Sequence, residues 1–563
     1  MRAVPVIQDI DYLAIAPPGL LTLAAVAVLL VDGFLPASRR APAGGAVAAV
    51  GYVALAGVAL TAAVTALLAV DVLRGTDAPR RTFCQPDGAA CSYVVDEFTL
   101  VIQLVMLVAA AVVLLIALAE VRDTRLPAGE FHFLLLAALS GALALAAARD
   151  LITLVVCLEV VSLPVFALAA LRRYDGRSAE GGLKMFLVSV VSTAVMLFGI
   201  SLVYGVTGSM HLERIAPALA SLREGSVAFD RQPVESLAAA SQVAAIGVVL
   251  VLVGFGFKIS AVPFHFWAPD TYQGSPIAVA AFLSVVSKMA GFAGLVLVLM
   301  IGFEPYAHIW GPLLAVIAAV SMTAGNLVAL RQRAAVRLLA WSSIAQAGYI
   351  LAPLGAAAGL DGELPSELVA ATVGYLAIYA IMNIGAFAVV GFVGWSGGAG
   401  QGGGAGQGGG AVRGGGGGRV GSGGGAAIED FRGLVRSHPA VAIAMAFFLA
   451  CLAGLPPGLA GLFAKIVVFR ATVSAGYGWL AVLMAVNTVI GLYYYLAWAV
   501  RLFTPRPDGV ESTIAGDGAS GVAVVVGRRV AVPLPVALAI GLAVAGTVLL
   551  SILPQLVLDI APG

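Results

Sequence analysis

Apolar runs of about 20 residues, each long enough to cross the hydrocarbon core of a bilayer, recur along the whole chain. The chain is 61% hydrophobic and only 11% charged, whereas about a quarter of the residues in a soluble domain are charged. So much apolar surface needs lipid as its solvent. A backbone inside lipid has to satisfy its own hydrogen bonds, and helices do so. The sequence therefore predicts an all-α polytopic membrane protein.

The runs predict about 14 transmembrane helices. The predicted spans are 14–36, 45–70, 97–119, 130–149, 150–171, 183–206, 242–262, 276–302, 308–330, 334–356, 366–394, 438–470, 476–500 and 530–556. Most of the 31 lysine and arginine residues fall on the loops of one side, which the positive-inside rule assigns to the cytoplasm. Both termini are then predicted on the outer side of a bacterial plasma (inner) membrane. A net charge of +1 leaves no basic surface for nucleic acid.

Three loop segments carry separate predictions. Residues 207–241 mix charged and apolar residues at near-helical spacing, which predicts an amphipathic helix on the outer surface. Residues 396–426 are mostly glycine and predict a flexible cytoplasmic linker, because they lack the strand and the Gly-Lys-Ser/Thr sequence of a phosphate-binding loop. Cys84 and Cys91 share an outer loop, where the sequence is compatible with a disulfide or with two free thiols.

Lysine is rare in this chain and is concentrated where the loss of its proton would matter. The only lysines are Lys184, Lys258, Lys288 and Lys465, and the last three lie inside apolar runs. Arginine keeps its proton in proteins, whereas a lysine taken out of water can release it. Lysine at these three positions therefore indicates groups that bind and release protons within the membrane.

Two of these lysines lie beside helix breaks that proline predicts. Lys258 precedes Pro263, and Lys465 follows Pro456 and Pro457. Because proline lacks an N–H and clashes with the carbonyl four residues earlier, it frees backbone carbonyls that need water or polar partners. The same pairing in two distant spans is typical of the internal repeats of transporters. A lysine beside such a break is predicted to be hydrated.

A carboxylate and several polar side chains complete the candidate site. Glu159 lies in the middle of an apolar run and needs a partner or a wet cavity, because a charge at mid-bilayer costs about 2.5–3.5 kcal/mol. A charged glutamate favours the protonated form of a nearby lysine, so moving one partner would switch the other between holding and releasing a proton. His265, Ser260 and Ser287 are candidate relays, and the alternative for His265 is a cap of the helix break.

Several stretches resemble the antiporter-like membrane subunits of respiratory complex I, the NADH–quinone oxidoreductase. The most specific is GFKISAVPFHFWAPDTYQGSP at 256–276, and the supporting stretches are GLKMF at 182–186, YGVTG at 204–208, LLAWSSIAQAGY at 338–349 and LAGLP at 452–456. Lys465, where other members carry glutamate, and the lack of a long lateral helix after the last span favour the N-type members. Val336 and Gln346 depart from the family pattern, in which a basic residue and a histidine are common. These departures predict weaker proton exchange in the second half.

The resemblance implies about 14 helices with two inverted five-helix repeats, each containing a broken helix. The implied divisions are three N-terminal helices at 1–129, a first repeat at 130–302, a second repeat at 308–500, and a last loop and helix at 501–563. The residues implied for proton translocation are Glu159, Lys258, Lys288 and Lys465. No cofactor is implied in this subunit. NADH, FMN, iron–sulfur clusters and a quinone, for which menaquinone is one candidate, are implied in the partner subunits of the complex.

Two other functions are compatible with the same motifs. The first is a subunit of a multisubunit sodium/proton antiporter, which shares them. The second is a structural membrane subunit that holds other subunits together without conducting protons. The second alternative predicts that a Lys258→Ala variant leaves proton pumping intact in a normally assembled complex.

Overall fold

The computed structural model of the chain describes residues 10–35, 45–73, 79–86, 88, 90–124, 126–224, 234–359, 366–399, 426–505 and 531–558. The elements up to the first helix break are α1 (Ala16–Phe34), α2 (Gly45–Leu73), β1 (Arg80–Cys84), β2 (Cys91–Val95), α3 (Glu97–Thr124), α4 (Ala128–Ala147), α5 (Leu151–Ala169), α6 (Gly176–Thr207), α7 (Leu212–Glu224) and α8 (Val234–Lys258). The elements after it are α9 (Trp267–Gly274), α10 (Ile277–Phe282), α11 (Lys288–Leu297), α12 (Ala307–Ala329), α13 (Ala335–Gly355), α14 (Ser366–Ala399), α15 (Leu434–Ser437), α16 (Pro439–Ala453), α17 (Leu459–Ser474), α18 (Gly478–Phe503), α19 (Leu534–Ile552) and α20 (Gln555–Leu558).

Within the described ranges, 13 helical stretches are long and apolar enough to cross a membrane. Each of them matches one predicted span, and α10 and α11 form a single stretch, Ile277–Gly302. The remaining predicted span, 438–470, consists of two shorter helices, α16 and α17. The predicted all-α polytopic architecture is therefore confirmed. The amphipathic helix predicted within 207–241 is α7, whose leucines and isoleucine at helical spacing are buried.

Both predicted helix breaks are present. α8 ends at Lys258 and α9 begins at Trp267, with Pro263 between them. α16 ends at Ala453 and α17 begins at Leu459, with two prolines between them. Proline cannot donate the N–H that would continue the helix through either segment. The chain therefore interrupts two helices with irregular backbone, each close to a lysine.

The centre of the bundle is formed by α10, α11, α13 and α14. Every residue from 277 to 299 is buried, although this stretch contains a lysine and two serines. A π-helical turn, Leu283–Ser287, separates α10 from α11 and ends immediately before Lys288. Such turns are local distortions of a helix that are frequent at functional sites. The fold thus places Lys288 at a distortion in a helix that is buried along almost its whole length.

A β-hairpin covers one end of the bundle. β1 and β2 pair antiparallel with Cys84 opposite Cys91, and a disulfide joins these two residues. The alternative of two free thiols is therefore wrong. The guanidinium of Arg149 pairs with the Asp96 carboxylate at the end of β2 at 2.6 Å, and the next residue, Asp150, accepts hydrogen bonds from the first turn of α5. The hairpin therefore fixes the position at which α5 begins.

Ion pairs join the ends of helices at the opposite end of the bundle. Arg172 pairs with Glu120 at 3.2 Å. The Asp270 carboxylate receives both Lys184 and Arg337, each at 2.7 Å. These three cations all belong to the side that the sequence predicts to be rich in positive charge. The disulfide and the positively charged loops consequently lie at opposite ends of the bundle.

The Gly-rich linker predicted at 396–426 lies outside the described residues, except that α14 continues to Ala399 and the description resumes at residue 426. Just beyond it, Arg432 and Arg501 hold the pKa of the Glu429 carboxyl below its usual value, because nearby positive charge favours the ionised form. Arg501 lies at the end of α18 and pairs with Glu429 at 3.0 Å. This pair joins the segment after the linker to the second half of the bundle.

Candidate functional site

Lys258 and Glu159 face each other through small hydroxyl side chains. The Lys258 ammonium is buried and donates to the Ser162 hydroxyl at 2.8 Å. Ser162 lies three residues after Glu159 on α5, so the two side chains share a helix face. The Glu159 carboxylate accepts a hydrogen bond from Thr193 of α6 at 2.7 Å. Among the described residues these two charged groups form no direct ion pair within 4.0 Å, but they attract each other across the gap.

Lys258 and Lys288 lie on adjacent turns of packed helices. A Cβ atom added to Gly291 would lie 2.9 Å from Cγ of Lys258. Gly291 is three residues after Lys288, which is about one helical turn. The absence of a side chain at Gly291 therefore lets the end of α8 approach α11. The structure brings together three of the predicted residues: Glu159, Lys258 and Lys288.

Lys288 is held by one residue of α13. Its buried ammonium donates to the Ser343 carbonyl oxygen at 2.8 Å and to the Ser343 hydroxyl at 2.5 Å. Tyr379 of α14 donates to the same hydroxyl at 2.9 Å, and the Asn383 amide donates to Tyr379 at 3.0 Å. Within the described part of the chain, no carboxylate pairs with Lys288. Neutral oxygens alone therefore hold its charge.

Lys465 uses an acceptor that the second helix break supplies. Its ammonium donates to the Ala453 carbonyl at 2.7 Å. In a continuous helix this carbonyl would accept the N–H of residue 457, but Pro457 has none. The side chain also lies over the Tyr349 ring, 5.5 Å from its centre, a favourable position for a cation. The sequence thus creates the free acceptor and the lysine that uses it within one broken helix.

A network of uncharged side chains separates Lys288 from Lys465. The Gln346 amide donates to the Leu452 carbonyl at 3.4 Å and to the Tyr495 hydroxyl at 3.2 Å, and it accepts from Tyr375 at 2.5 Å. The Leu452 carbonyl, like that of Ala453, lacks its usual helical N–H donor, because residue 456 is also proline. Tyr495 in turn is hydrogen bonded to Ser342. Gln346 does not titrate, so this network orders the region without storing a proton.

The three predicted relay residues lie in or near these elements but are not joined to the lysines by hydrogen bonds in the described residues. Ser260 lies in the first break with a φ of 59°, is fully buried, and its hydroxyl has no partner. The ring of His265, in the same break, packs edge-on against Trp341 with 5.4 Å between ring centres. Ser287 ends the π-helical turn before Lys288. Their roles as relays stay predictions.

The hydroxyl groups that contact the charged side chains were not predicted from the sequence. Ser162, which accepts from Lys258, could have been found because it lies about one helical turn after Glu159, and Thr193, which donates to Glu159, because it is a hydroxyl within the next apolar run. Ser343 could not, because its contact with Lys288 joins two distant helices. Glu120 was also missed: its fully buried carboxylate accepts the first two N–H groups of α10 at 2.7 and 2.8 Å, as at other helix N-termini.

The departure at Val336 has a simple structural context. Val336 is buried, whereas the next residue, Arg337, reaches Asp270 and the Gln273 side chain at 3.0 Å. At the start of α13, Arg337 is therefore the basic residue that pairs with the Asp270 carboxylate.

Within the described ranges, no group of three or more His, Cys, Asp or Glu side chains is placed to hold a metal ion.

Comparison with known proteins connects this arrangement to a family. A family model described as NADH:quinone oxidoreductase/Mrp antiporter, TM, matches residues 148–491. The chain is 48% identical to NADH-quinone oxidoreductase subunit N 2 of Streptomyces griseus subsp. griseus over 563 residues, which covers 99% of this chain and 94% of that protein. The matched region contains both helix breaks and all four predicted charged residues.

Two solved structures have folds similar to that of this chain. A chain of respiratory complex I from Thermus thermophilus with bound Aureothin matches with a TM-score of 0.67 and 29% identity, covering 96% of this chain and 98% of that chain. A chain of the Mrp complex from Dietzia sp. matches with a TM-score of 0.73 and 21% identity, covering 98% and 96%, which shows the fold alone. The chain belongs to the NADH:quinone oxidoreductase and Mrp antiporter family of membrane subunits, and within it to the subunit N group.

Proposed function

We propose that this chain is the N-type proton-translocating membrane subunit of an NADH–quinone oxidoreductase. Three lysines within its membrane-spanning bundle support the proposal, because each is buried and held by neutral oxygens. Burial favours the neutral form of a lysine, while hydroxyl and carbonyl acceptors favour the charged form. Each lysine can therefore exist in either state, as a proton carrier requires. The redox groups NADH, FMN, iron–sulfur clusters and quinone belong to partner subunits.

The mechanism begins at the Glu159 and Lys258 pair. A charge pair at 4 Å is worth about 4 kcal/mol at an effective dielectric constant of 20, which is about a thousandfold in proton affinity. The hydroxyls of Ser162 and Thr193 hold the two charges apart in this state. A movement of either helix that closes or widens the gap changes the proton affinity of Lys258. Because α8 packs against α11, such a change also acts on Lys288 by charge repulsion.

We also propose that Lys465 exchanges its proton with water at the second helix break and that the predicted repeats, 130–302 and 308–500, are the working units. Each repeat then contains one broken helix whose proline supplies or exposes backbone oxygen next to a lysine. His265, Ser260 and Ser287 would assist water in carrying protons near the first break. The uncharged network around Gln346 separates the two units and limits direct exchange between them.

Two independent features support the proposed orientation. Disulfides persist in oxidising compartments outside the cytoplasm, and the disulfide of this chain lies at the end of the bundle opposite the positively charged loops. Positive loops are cytoplasmic. The subunit would therefore lie in a bacterial plasma membrane with both termini outside, in contact with the other membrane subunits of the complex and with lipid, and with no nucleic-acid partner.

The proposal is tested by counting protons moved per NADH oxidised in sealed vesicles that contain the assembled complex. We expect Glu159→Ala, Lys258→Ala and Lys465→Ala to lower this ratio without lowering the amount of assembled subunit. Lys258→Arg is the matched variant, because it keeps the charge but does not release a proton, and it is expected to fail as Lys258→Ala does. A normal ratio in Lys258→Ala and Lys465→Ala would support a structural subunit. Sodium-dependent transport would support an antiporter.

A further inference from the structure

Ser343 contributes both of the acceptors that Lys288 uses. The ammonium of Lys288 donates to the carbonyl oxygen and to the hydroxyl of this single residue, at 2.8 and 2.5 Å. Both residues are 1% exposed, so bulk water does not compete for these contacts. A hydrogen bond from a charged group is roughly twice as strong as one between neutral groups. The stability of the protonated Lys288 therefore depends largely on one serine.

The hydroxyl of Ser343 is itself held in place. Tyr379 donates to it at 2.9 Å, and Asn383 donates to Tyr379, so donors point toward the serine oxygen from both sides. The neighbouring Ser342 faces elsewhere, because its hydroxyl bonds Tyr495. Two adjacent serines on α13 thus serve different partners. Only Ser343 reaches the lysine.

Other titratable groups cannot replace this contact. Titratable side chains on the elements that contact α10 or α11 include Lys258 of α8, Glu159 of α5, Tyr272 of α9, Tyr379 of α14, Glu120 of α3 and His132 of α4. Glu159 accepts a hydrogen bond from Thr193 of α6, and Lys258 donates to Ser162 of α5. None of these groups accepts a hydrogen bond from Lys288 among the described residues.

We propose that Ser343 is a positioning residue that sets the proton affinity of Lys288 and directs its ammonium toward α13. This is the helix whose Gln346 contacts the second break. The inference rests on the proposed function of Lys288 as a proton carrier. The same arrangement occurs at the first break, where the Ser162 hydroxyl accepts a hydrogen bond from Lys258. At both positions a serine on a neighbouring helix, with no carboxylate in direct contact, holds the charged lysine.

The test is the pH dependence of protons moved per NADH oxidised, in vesicles with the assembled complex. Ser343→Ala removes the hydroxyl acceptor and keeps the carbonyl. Because the lost acceptor favours the charged lysine, its removal lowers the proton affinity of Lys288 about tenfold and moves the alkaline limb of the profile down by about one pH unit. Ser343→Thr keeps the hydroxyl and is expected to retain the wild-type limb. Ser342→Ala is the matched control and is expected to leave the limb unmoved.

The outcomes separate the two proposals. If Lys288→Ala lowers the proton ratio but Ser343→Ala has the wild-type pH profile, Ser343 does not set the affinity and only this inference fails. If Lys288→Ala itself keeps the wild-type ratio at all pH values, the proposed role of Lys288 fails first. An equal shift in Ser342→Ala and Ser343→Ala would point to a general loosening of α13 and would also overturn the inference.

Discussion

At the scale of single residues, small side chains decide how closely the charged groups approach. Gly291 leaves space for the stem of Lys258, and a Cβ atom there would also lie 3.1 Å from Cγ2 of Ile259. Ile259 belongs to the first break and has little freedom to move away in a buried environment. The position of Lys258 next to Lys288 therefore depends on the absence of one methyl group.

Gly291→Ala is expected to displace the end of α8 and to destabilise the folded subunit by about 1–3 kcal/mol, as overpacking of a core does. The measurement is the temperature at which the assembled complex loses this subunit, together with the protons moved per NADH. Gly19→Ala is the matched control, because nothing lies within 4 Å of a Cβ atom at that exposed position of α1. Equal behaviour of the two variants would contradict the close packing.

At the scale of elements, the two ends of the bundle use different means to fix helix ends. One end uses a hairpin closed by a disulfide between residues seven apart in sequence. A bridge between β2 and Ala148 and the ion pair of Arg149 with Asp96 then join the hairpin to the turn before α5. α5 carries Glu159, so the hairpin acts on the candidate site through the helix that it anchors.

Replacing both cysteines, as in Cys84→Ser with Cys91→Ser, is expected to lower the free energy of unfolding of the hairpin by about 2–3 kcal/mol. This is the chain-entropy value for a disulfide that closes so short a loop. The measurement is the rate at which an added protease cuts the segment between α2 and α3 from the outer side of oriented vesicles. Ser substitutions of Cys157 and Cys451, which are free and buried, control for the replacement of cysteine by serine without loss of a disulfide. Unchanged cutting of the hairpin would show that the disulfide does not hold it.

The elements themselves were largely predictable from sequence. Membrane spans follow from runs of apolar residues, and both breaks follow from proline, which acts on its own helix. The pairing of Cys84 with Cys91 was not decided, because a loop sequence does not show whether two strands will place them in register. The partner of Lys288 was not predicted either, because Ser343 lies on a different helix and only packing brings the two residues into contact. Lys465 differs, because its acceptor, the Ala453 carbonyl, belongs to the same broken helix.

At the scale of the whole molecule, α13 connects the two halves. Near its start, Arg337 binds the Asp270 carboxylate on the second part of the first broken helix. One to three turns later, Ser343 holds Lys288, Gln346 reaches the second break, and Tyr349 lies beside Lys465. We expect a helix with these contacts to transmit a shift at one break to the lysine near the other. Asp270 is the residue through which the first half binds α13.

Asp270→Asn is therefore expected to lower the protons moved per NADH while the subunit still assembles. The carboxylate joins Lys184 of α6 to Arg337 of α13, and without its charge these two cations repel each other instead of sharing one anion. Glu180→Gln is the matched control, since it removes only the other, more exposed partner of Lys184, and exposed pairs contribute little. The proton ratio is measured in both variants at low and at high salt. Because screening weakens the repulsion, high salt is expected to restore part of the Asp270→Asn defect. A defect of equal size in Glu180→Gln, or none in Asp270→Asn, would mean that α13 does not couple the halves through this carboxylate.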